Sequence, residues 1–197
     1  MPTKARIEKV KRVLSSRQPD LRVVMEEVTN AHNASAVVRT CDAAGILYVD
    51  IISSTDEPFP VNEAISTRAE KWLEFCYHKT TEECFSHLKD SGFKIAATSL
   101  EERAMLHTDV DYTQPVAVVF GNESEGISQA ALGLADYVIR IPMAGMVQSL
   151  NLSVSVAIIL YEALKQRKEK GYSSSLSEEE YNHFMKKWLG LSKRGVR

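Results

Sequence analysis

Cysteine is scarce in this 197-residue chain, and its arrangement excludes more than it suggests. Cys41, Cys76 and Cys84 form no Cys-x-x-Cys pair, and none has a histidine at ligand spacing. Free thiols are expected, and neither a disulfide framework nor a zinc site is. Long apolar runs are also missing: SVSVAIILY is too short to span a bilayer. The N-terminal stretch MPTKARIEKVKRVLSSRQPD is charged throughout and lacks the apolar centre of a secretory leader, so a cytoplasmic location is expected. Neither Gly-x-Gly-x-x-Gly nor Gly-x-x-x-x-Gly-Lys-Ser/Thr occurs, which removes support for the usual dinucleotide fold and for a phosphate-binding loop. No glycine-rich turn follows the first predicted strand, which argues against an ordinary Rossmann methyltransferase.

Charge is present, but unevenly. The net charge of −2 conceals three basic segments, residues 1–17, 165–170 and 186–197. Together these 35 residues hold 15 of the 24 lysines and arginines, while the rest of the chain has 9 basic and 24 acidic side chains. Basic ends on an acidic body suit a polyanion docked by particular elements and repelled elsewhere. Solubilising charge on terminal helices accounts for the same pattern equally well.

Hydrophobic periodicity alternates strands with helices. Strands are predicted at LRVVMEEV, ILYVDII, KWLEFCYH, FKIAAT, PVAVVF and DYVIRI. Helices are predicted at TKARIEKVKRVLSSR, over 33–44, near 65–69, and at TTEECFSHLKD, SQAALGLA, SLNLSVSVAIILYEALKQRKEKG and SSSLSEEEYNHFMKKWLG. SLEERAMLHTDVDYTQ reads mostly as loop. The fold class is therefore α/β, with a mostly parallel sheet flanked by helices. In such sheets ligands bind beyond the carboxyl ends of the strands, where ATSLEE, GNESEG and PMAGMVQ are the candidate loops. Gly121, Gly126 and Gly145 would let backbone approach a ligand there, although ordinary turns also use glycine. The long helix opens at QSLN, with Ser149 or Asn151 as its cap. Its body is apolar or small on most faces, which predicts burial on two sides and hence a homodimer.

Three blocks occur in order: HNASAVVRTCDAAG (32–45), VVFGNESEGIS (118–128) and IPMAGMVQSLNLSVSVAIILYEA (141–163). They resemble the three motifs of the SPOUT superfamily of knotted methyltransferases, and most closely its TrmH family. The resemblance covers roughly residues 4 to 170. It implies a C-terminal deep trefoil knot and S-adenosyl-L-methionine as cofactor. It also implies a homodimer packed through the knot helix and the first-motif helix. The activity implied is methylation of a ribose 2′-hydroxyl in tRNA, and SRQPDLRVVMEEV points to guanosine 18 of the D-loop. Methylation of rRNA or of the anticodon loop stays open, as does a non-catalytic RNA-binding member. By motif position, cofactor contacts fall on Thr98, Gly121, Ile141 and Leu150, with Met143, Met146 and Ser149 nearby. Asn33, Glu123, Ser149 and Asn151 match polar positions of the catalytic pocket, and Arg39 matches the central catalytic arginine. Arg6, Arg12, Arg17, Lys165 and Arg167 match the tRNA-gripping ends. Lys165 keeps the charge but lacks the arginine fork. The implied division is a basic docking helix at 1–19, the knotted domain at 20–170, and a C-terminal helix with basic tail at 171–197.

Arg39 stands among small residues, Ala34, Ala36 and Ala43. Without the resemblance, an exposed i,i+3 pair with Asp42 would explain it. With it, two chemical roles are open. As a general base, a guanidinium would give up its proton at neutral pH at a cost of about 8 kcal/mol. As a charged clamp, it would hold a phosphate and stabilise the developing alkoxide while water or phosphate takes the proton.

Overall fold

The computed structural model describes residues 2–191. The basic tail positions Lys193, Arg194 and Arg197 lie outside the described residues. Strand β1 (Leu21–Glu26) is buried along its whole length because it lies inside a sheet whose two faces are both covered by helices. The other strands are β2 (Tyr48–Ile52), β3 (Glu74–His78), β4 (Lys94–Thr98), β5 (Met105–Leu106), β6 (Val116–Phe120) and β7 (Tyr137–Arg140). They form one sheet in the order β3-β2-β1-β6-β4-β7-β5, and every ladder is parallel.

Alternation along the strands sorts the core into two layers. On one face Val23, Met25, Val49 and Val118 pack against helices α2 (Ala31–Ala43) and α6 (Leu152–Glu169). On the other, Val24, Ile52, Ile95 and Val119 meet α4 (Thr81–Asp90) and α5 (Gln129–Leu134). A short helix α3 (Glu63–Ser66) and a 3-10 turn at Ala69–Trp72 lead into β3. That turn takes up the first residues of the segment KWLEFCYH, which was expected to be all strand. Helices α1 (Lys4–Leu14) and α7 (Glu178–Trp188) come from opposite ends of the chain. They share a third apolar cluster on Leu47 and Trp72, at the amino ends of β2 and β3. Trp72 and Trp188 meet edge to face there, with ring centroids 5.5 Å apart.

Caps define the helix starts. Asn30 accepts from the amides of His32 and Asn33 and opens α2 two residues before the expected start. Asn151, not Ser149, caps α6, and Ser177 with Glu180 forms a complete capping box on α7. After α2 the chain turns through Gly45 at φ +78°, where an added Cβ would sit 2.7 Å from the Ser16 carbonyl oxygen.

The segment read as loop after β4 contains β5. Because β7 lies between β4 and β5, the connection 99–104 must cross the carboxyl end of β7. It is bonded on both sides of that strand. The Ser99 amide donates to the Ile139 carbonyl at 2.8 Å, and Arg140 Nε donates to the Ala104 carbonyl at 3.3 Å.

Candidate active site

The three loops anticipated from sequence converge at the carboxyl ends of β4, β6 and β7. They line a cleft of about 860 Å³, within the range of small-molecule and cofactor sites. Gly121 leaves β6 so tightly that an added Cβ would lie 2.1 Å from the Gly126 carbonyl oxygen. The Gly126 amide donates to the Asn122 carbonyl at 2.8 Å, closing the loop on itself. A loop packed backbone on backbone has a fixed outline, with little freedom left to reshape.

Side chains from three elements meet beside it. Asn33 sits in the first turn of α2, Glu123 in the loop after β6, and Asn151 at the cap of α6. Ser153 Oγ donates to Asn151 Oδ1 at 2.7 Å, and Asn151 Nδ2 donates to Asn33 Oδ1 at 2.9 Å. Asn33 Nδ2 then donates to Glu123 Oε1 at 3.0 Å. Each amide spends its acceptor on one neighbour and its donor on the next, so the chain has a direction that ends on a carboxylate. Three acids, Glu101, Glu123 and Glu125, line the cleft against one cation, Arg140, a balance that suits a positively charged ligand.

Of the expected cofactor positions, Thr98, Gly121, Ile141, Met143, Ser149 and Leu150 line the cleft. The Thr98 hydroxyl is already engaged, donating to the Val119 carbonyl at 3.0 Å. Met146 does not line the cleft; its side chain is fully exposed. Of the expected catalytic positions, Asn33, Glu123, Ser149 and Asn151 are at the cleft. Arg39 is not: it projects to solvent from α2, outside its own chain's cleft, and makes no ion pair among the described residues. Its candidate partner Asp42 pairs instead with Arg17.

Two of the expected RNA contacts require correction. Arg17 is 0% exposed and donates to the carbonyls of Ile46, Asp42 and Trp72 as well as to the Asp42 carboxylate. Arg167 is 1% exposed and donates to the Tyr112, Asp20 and Gln114 carbonyls and to the Asp20 carboxylate. Both guanidiniums tie the chain together from within and have no face left for a phosphate. Arg12 and Lys165 are exposed. Arg6 is exposed too, although its Nη2 donates to the Trp188 carbonyl at 3.0 Å.

Sequence reasoning did not single out Glu101, Glu125 or Arg140 at the cleft, although the first two lie within loops it named. It also missed that Asp50, His78 and Cys84 come together, with ligand-type atoms all within 4.8 Å of one another. Cys84 lies on α4 and His78 on β3, so only the fold joins them. Arg22 Nε lies 3.4 Å from Asp50, and His78 Nε2 is 2.9 Å from the same carboxyl group. Burial pushes the Cys84 thiol well above its usual range. The Asp50 carboxylate is paired there with the Arg22 guanidinium and bonded to the His78 ring.

Known proteins supply the remaining comparison. A family model described as the SpoU rRNA methylase family matches residues 20–161. A Thermus thermophilus protein named tRNA (guanosine(18)-2′-O)-methyltransferase is 45% identical over 95% of this chain and 97% of its own length. The crystal structure of the Aquifex aeolicus TrmH/SpoU tRNA modifying enzyme superposes with a TM-score of 0.89 at 42% identity, covering 95% of this chain and 96% of that one. The SpoU methyltransferase AviRb from Streptomyces viridochromogenes, solved in complex with the cofactor AdoMet, has a TM-score of 0.67 at 26% identity over 79% of this chain and 62% of that one. With residues of all three blocks gathered at one cleft and the family model matching residues 20–161, this chain belongs to the SpoU rRNA methylase family.

Proposed function

We propose that this chain methylates the ribose 2′-hydroxyl of guanosine 18 in tRNA, with S-adenosylmethionine as methyl donor. The observation that carries the reading is the directed chain Ser153–Asn151–Asn33–Glu123, which joins all three motifs at the rim of the cleft. Near-complete coverage of a relative named for that reaction supports the choice of nucleotide.

The residues present fit the cofactor. The loop backbone is open to a ligand, since an added Cβ at Gly126 or Gly145 would meet nothing within 4 Å. The acidic lining matches a sulfonium. Gly121, Ile141, Met143 and Leu150 would hold the adenosine portion against the loops. When bound, the cofactor supplies an electrophilic methyl group whose leaving thioether departs neutral. The protein's task is therefore on the nucleophile: orient the hydroxyl and manage the charge left as its proton departs. Asn33 and Asn151 fix Glu123, whose second carboxylate oxygen is available to a hydroxyl at the cleft.

Arg39 enters through a second copy of the chain. The stripe His32, Ala36, Arg39 and Ala43 leaves the α2 surface on the side away from the core, with spacing that allows close helix approach. On the adjacent α6, Tyr161 is 56% and Val154 44% exposed, an uncovered apolar face. A homodimer through α2 and α6 covers both and brings Arg39 to the partner's cleft. There a charged guanidinium clamps a phosphate and stabilises alkoxide charge without giving up its proton. The crossing of residues 99–104 over β7 supports a knotted passage for the chain that follows. Exposed Arg6, Arg12 and Lys165 serve as phosphate contacts. A cytoplasmic location completes the reading; among the described residues no helix is long and apolar enough to cross a membrane.

Methyl transfer to unmodified tRNA, with the product nucleotide mapped by mass spectrometry, tests the reading. A 2′-O-methylguanosine at position 18 is expected. Methylation at another nucleotide or only of rRNA overturns the assignment of substrate, and absence of transfer overturns the enzyme.

A further inference from the structure

Glu26, the last residue of β1, is 3% exposed and has no lysine, arginine or histidine within ion-pair distance among the described residues. Three donors surround it instead. Oε1 accepts from Thr81 Oγ1 at 2.6 Å and from Ser128 Oγ at 2.7 Å, and Oε2 accepts from the Ser128 amide at 2.9 Å. Ser128 closes the loop after β6, and its hydroxyl also caps α5 by accepting from the Ala131 amide.

The loop's other end is tied to the very next residue. Asn122 Nδ2 donates to the Glu27 carbonyl at 2.8 Å, and Asn122 Oδ1 accepts from the amides of Ser124 and Glu125. Glu27 lies at φ +51°, a left-handed conformation that costs a non-glycine residue free energy. It is held by its amide on the Ile52 carbonyl and its carboxylate on the Ser54 amide. Residues 121–128 are thus clamped at both ends to Glu26 and Glu27. Between the clamps stands Glu123, held to Asn33.

A buried carboxylate without a counter-ion is an expensive way to hold two helices together. Its distinguishing property is that it only accepts, so it satisfies three convergent donors at once. A glutamine of the same shape would turn an amide donor toward one of them. We propose that Glu26 is a positioning residue of the methyl-transfer site. It fixes the loop that walls the cofactor cleft and, through that loop, the place of Glu123. Thr81 lies on the α4 side of the same carboxylate and holds no part of the loop.

The proposal rests on the methyltransferase reading, so the wild-type protein is assayed first. Failure of the wild type to bind S-adenosylmethionine or to methylate tRNA would sink that reading, not the role of Glu26. With an active wild type, Glu26→Gln, Ser128→Ala and Thr81→Val are compared in the full chain. Thermal midpoint, S-adenosylmethionine affinity by calorimetry, and kcat and KM on unmodified tRNA are measured for each. Glu26→Gln is expected to weaken cofactor affinity about tenfold or more and to lower kcat at saturating cofactor. Ser128→Ala, which keeps the amide donor, should show a smaller effect of the same kind. Thr81→Val should lower the thermal midpoint yet keep cofactor affinity within about twofold. Equal loss of affinity in Thr81→Val and Glu26→Gln at equal loss of stability overturns the proposal. Should Glu26→Gln fail to fold, a Ser128→Ala variant indistinguishable from Thr81→Val overturns it equally.

Discussion

Arg39 and Arg167 carry the same side chain and receive opposite assignments. Arg39 is exposed and unpaired among the described residues, while Arg167 is enclosed by carbonyls and Asp20. Replacing Arg39 by alanine should leave stability and S-adenosylmethionine binding nearly unchanged and abolish turnover; near-normal methyl transfer by this variant would refute a catalytic role. Replacing Arg167 by methionine removes the donor to the Tyr112 and Gln114 carbonyls and leaves Asp20 with the Tyr172 hydroxyl in place of its ion pair. The expected loss is about 3–5 kcal/mol in denaturant unfolding, with no change in the salt slope of tRNA binding. The cysteines provide a third residue-level test. Burial is the largest cause raising the thiols of Cys41 and Cys84 far above their usual range, and Cys76 is raised more modestly. Thiolate is the reactive form, so a thiol reagent at mildly alkaline pH should find at most one slow thiol in the native protein and three after denaturation. Arginine in a sequence reads as charge offered to a partner. Whether it faces solvent or carbonyls depends on chain segments far from it, which is why Arg17 and Arg167 were misread.

At the scale of elements, the loop after β6 is the least tolerant part of the site. Gly121→Ala places a methyl group 2.1 Å from the Gly126 carbonyl oxygen, so one side of the loop must move. Strain of about 1–3 kcal/mol is expected. It should appear as a tenfold to hundredfold loss of S-adenosylmethionine affinity by calorimetry, with the circular dichroism spectrum preserved. Wild-type affinity in this variant would show that the loop does not wall the cofactor site. The elements themselves were largely legible, because the helices carry local caps and the strands a local period. Boundaries suffered where tertiary contact overrode pattern: KWLEFCYH yields its first residues to a 3-10 turn. β5, only two residues long, exists because β7 supplies it with a partner. No local pattern in AMLHTD announces such a strand.

At the scale of the molecule, α6 connects sequence to assembly. It is buried on Val156, Ile159, Leu160 and Ala163, yet exposes Val154 and Tyr161. A single chain therefore covers only part of a helix whose composition asks for cover on two sides. On the proposed homodimer, Tyr161→Asp should shift the mass in light scattering from dimer to monomer and remove methyl transfer, because the proposed reach of Arg39 into a partner's cleft would be lost. A monomeric variant with full activity would place the complete site within one chain.

The sequence by itself determined most of the elements, though not β5, together with the parallel α/β class, the three loops and the polar positions of the cleft. The first three follow from short-range period and from glycine and cap chemistry, and the polar positions from the resemblance of three short blocks to a known family, all written within a few residues. Only the tertiary structure decided which arginines face solvent, that Asn151, Asn33 and Glu123 form one directed chain, and that Glu26 anchors the loop beside them. Those facts depend on which distant donors and carbonyls meet a side chain once the sheet has assembled. Burial and hydrogen bonding between remote segments have no signature in local order.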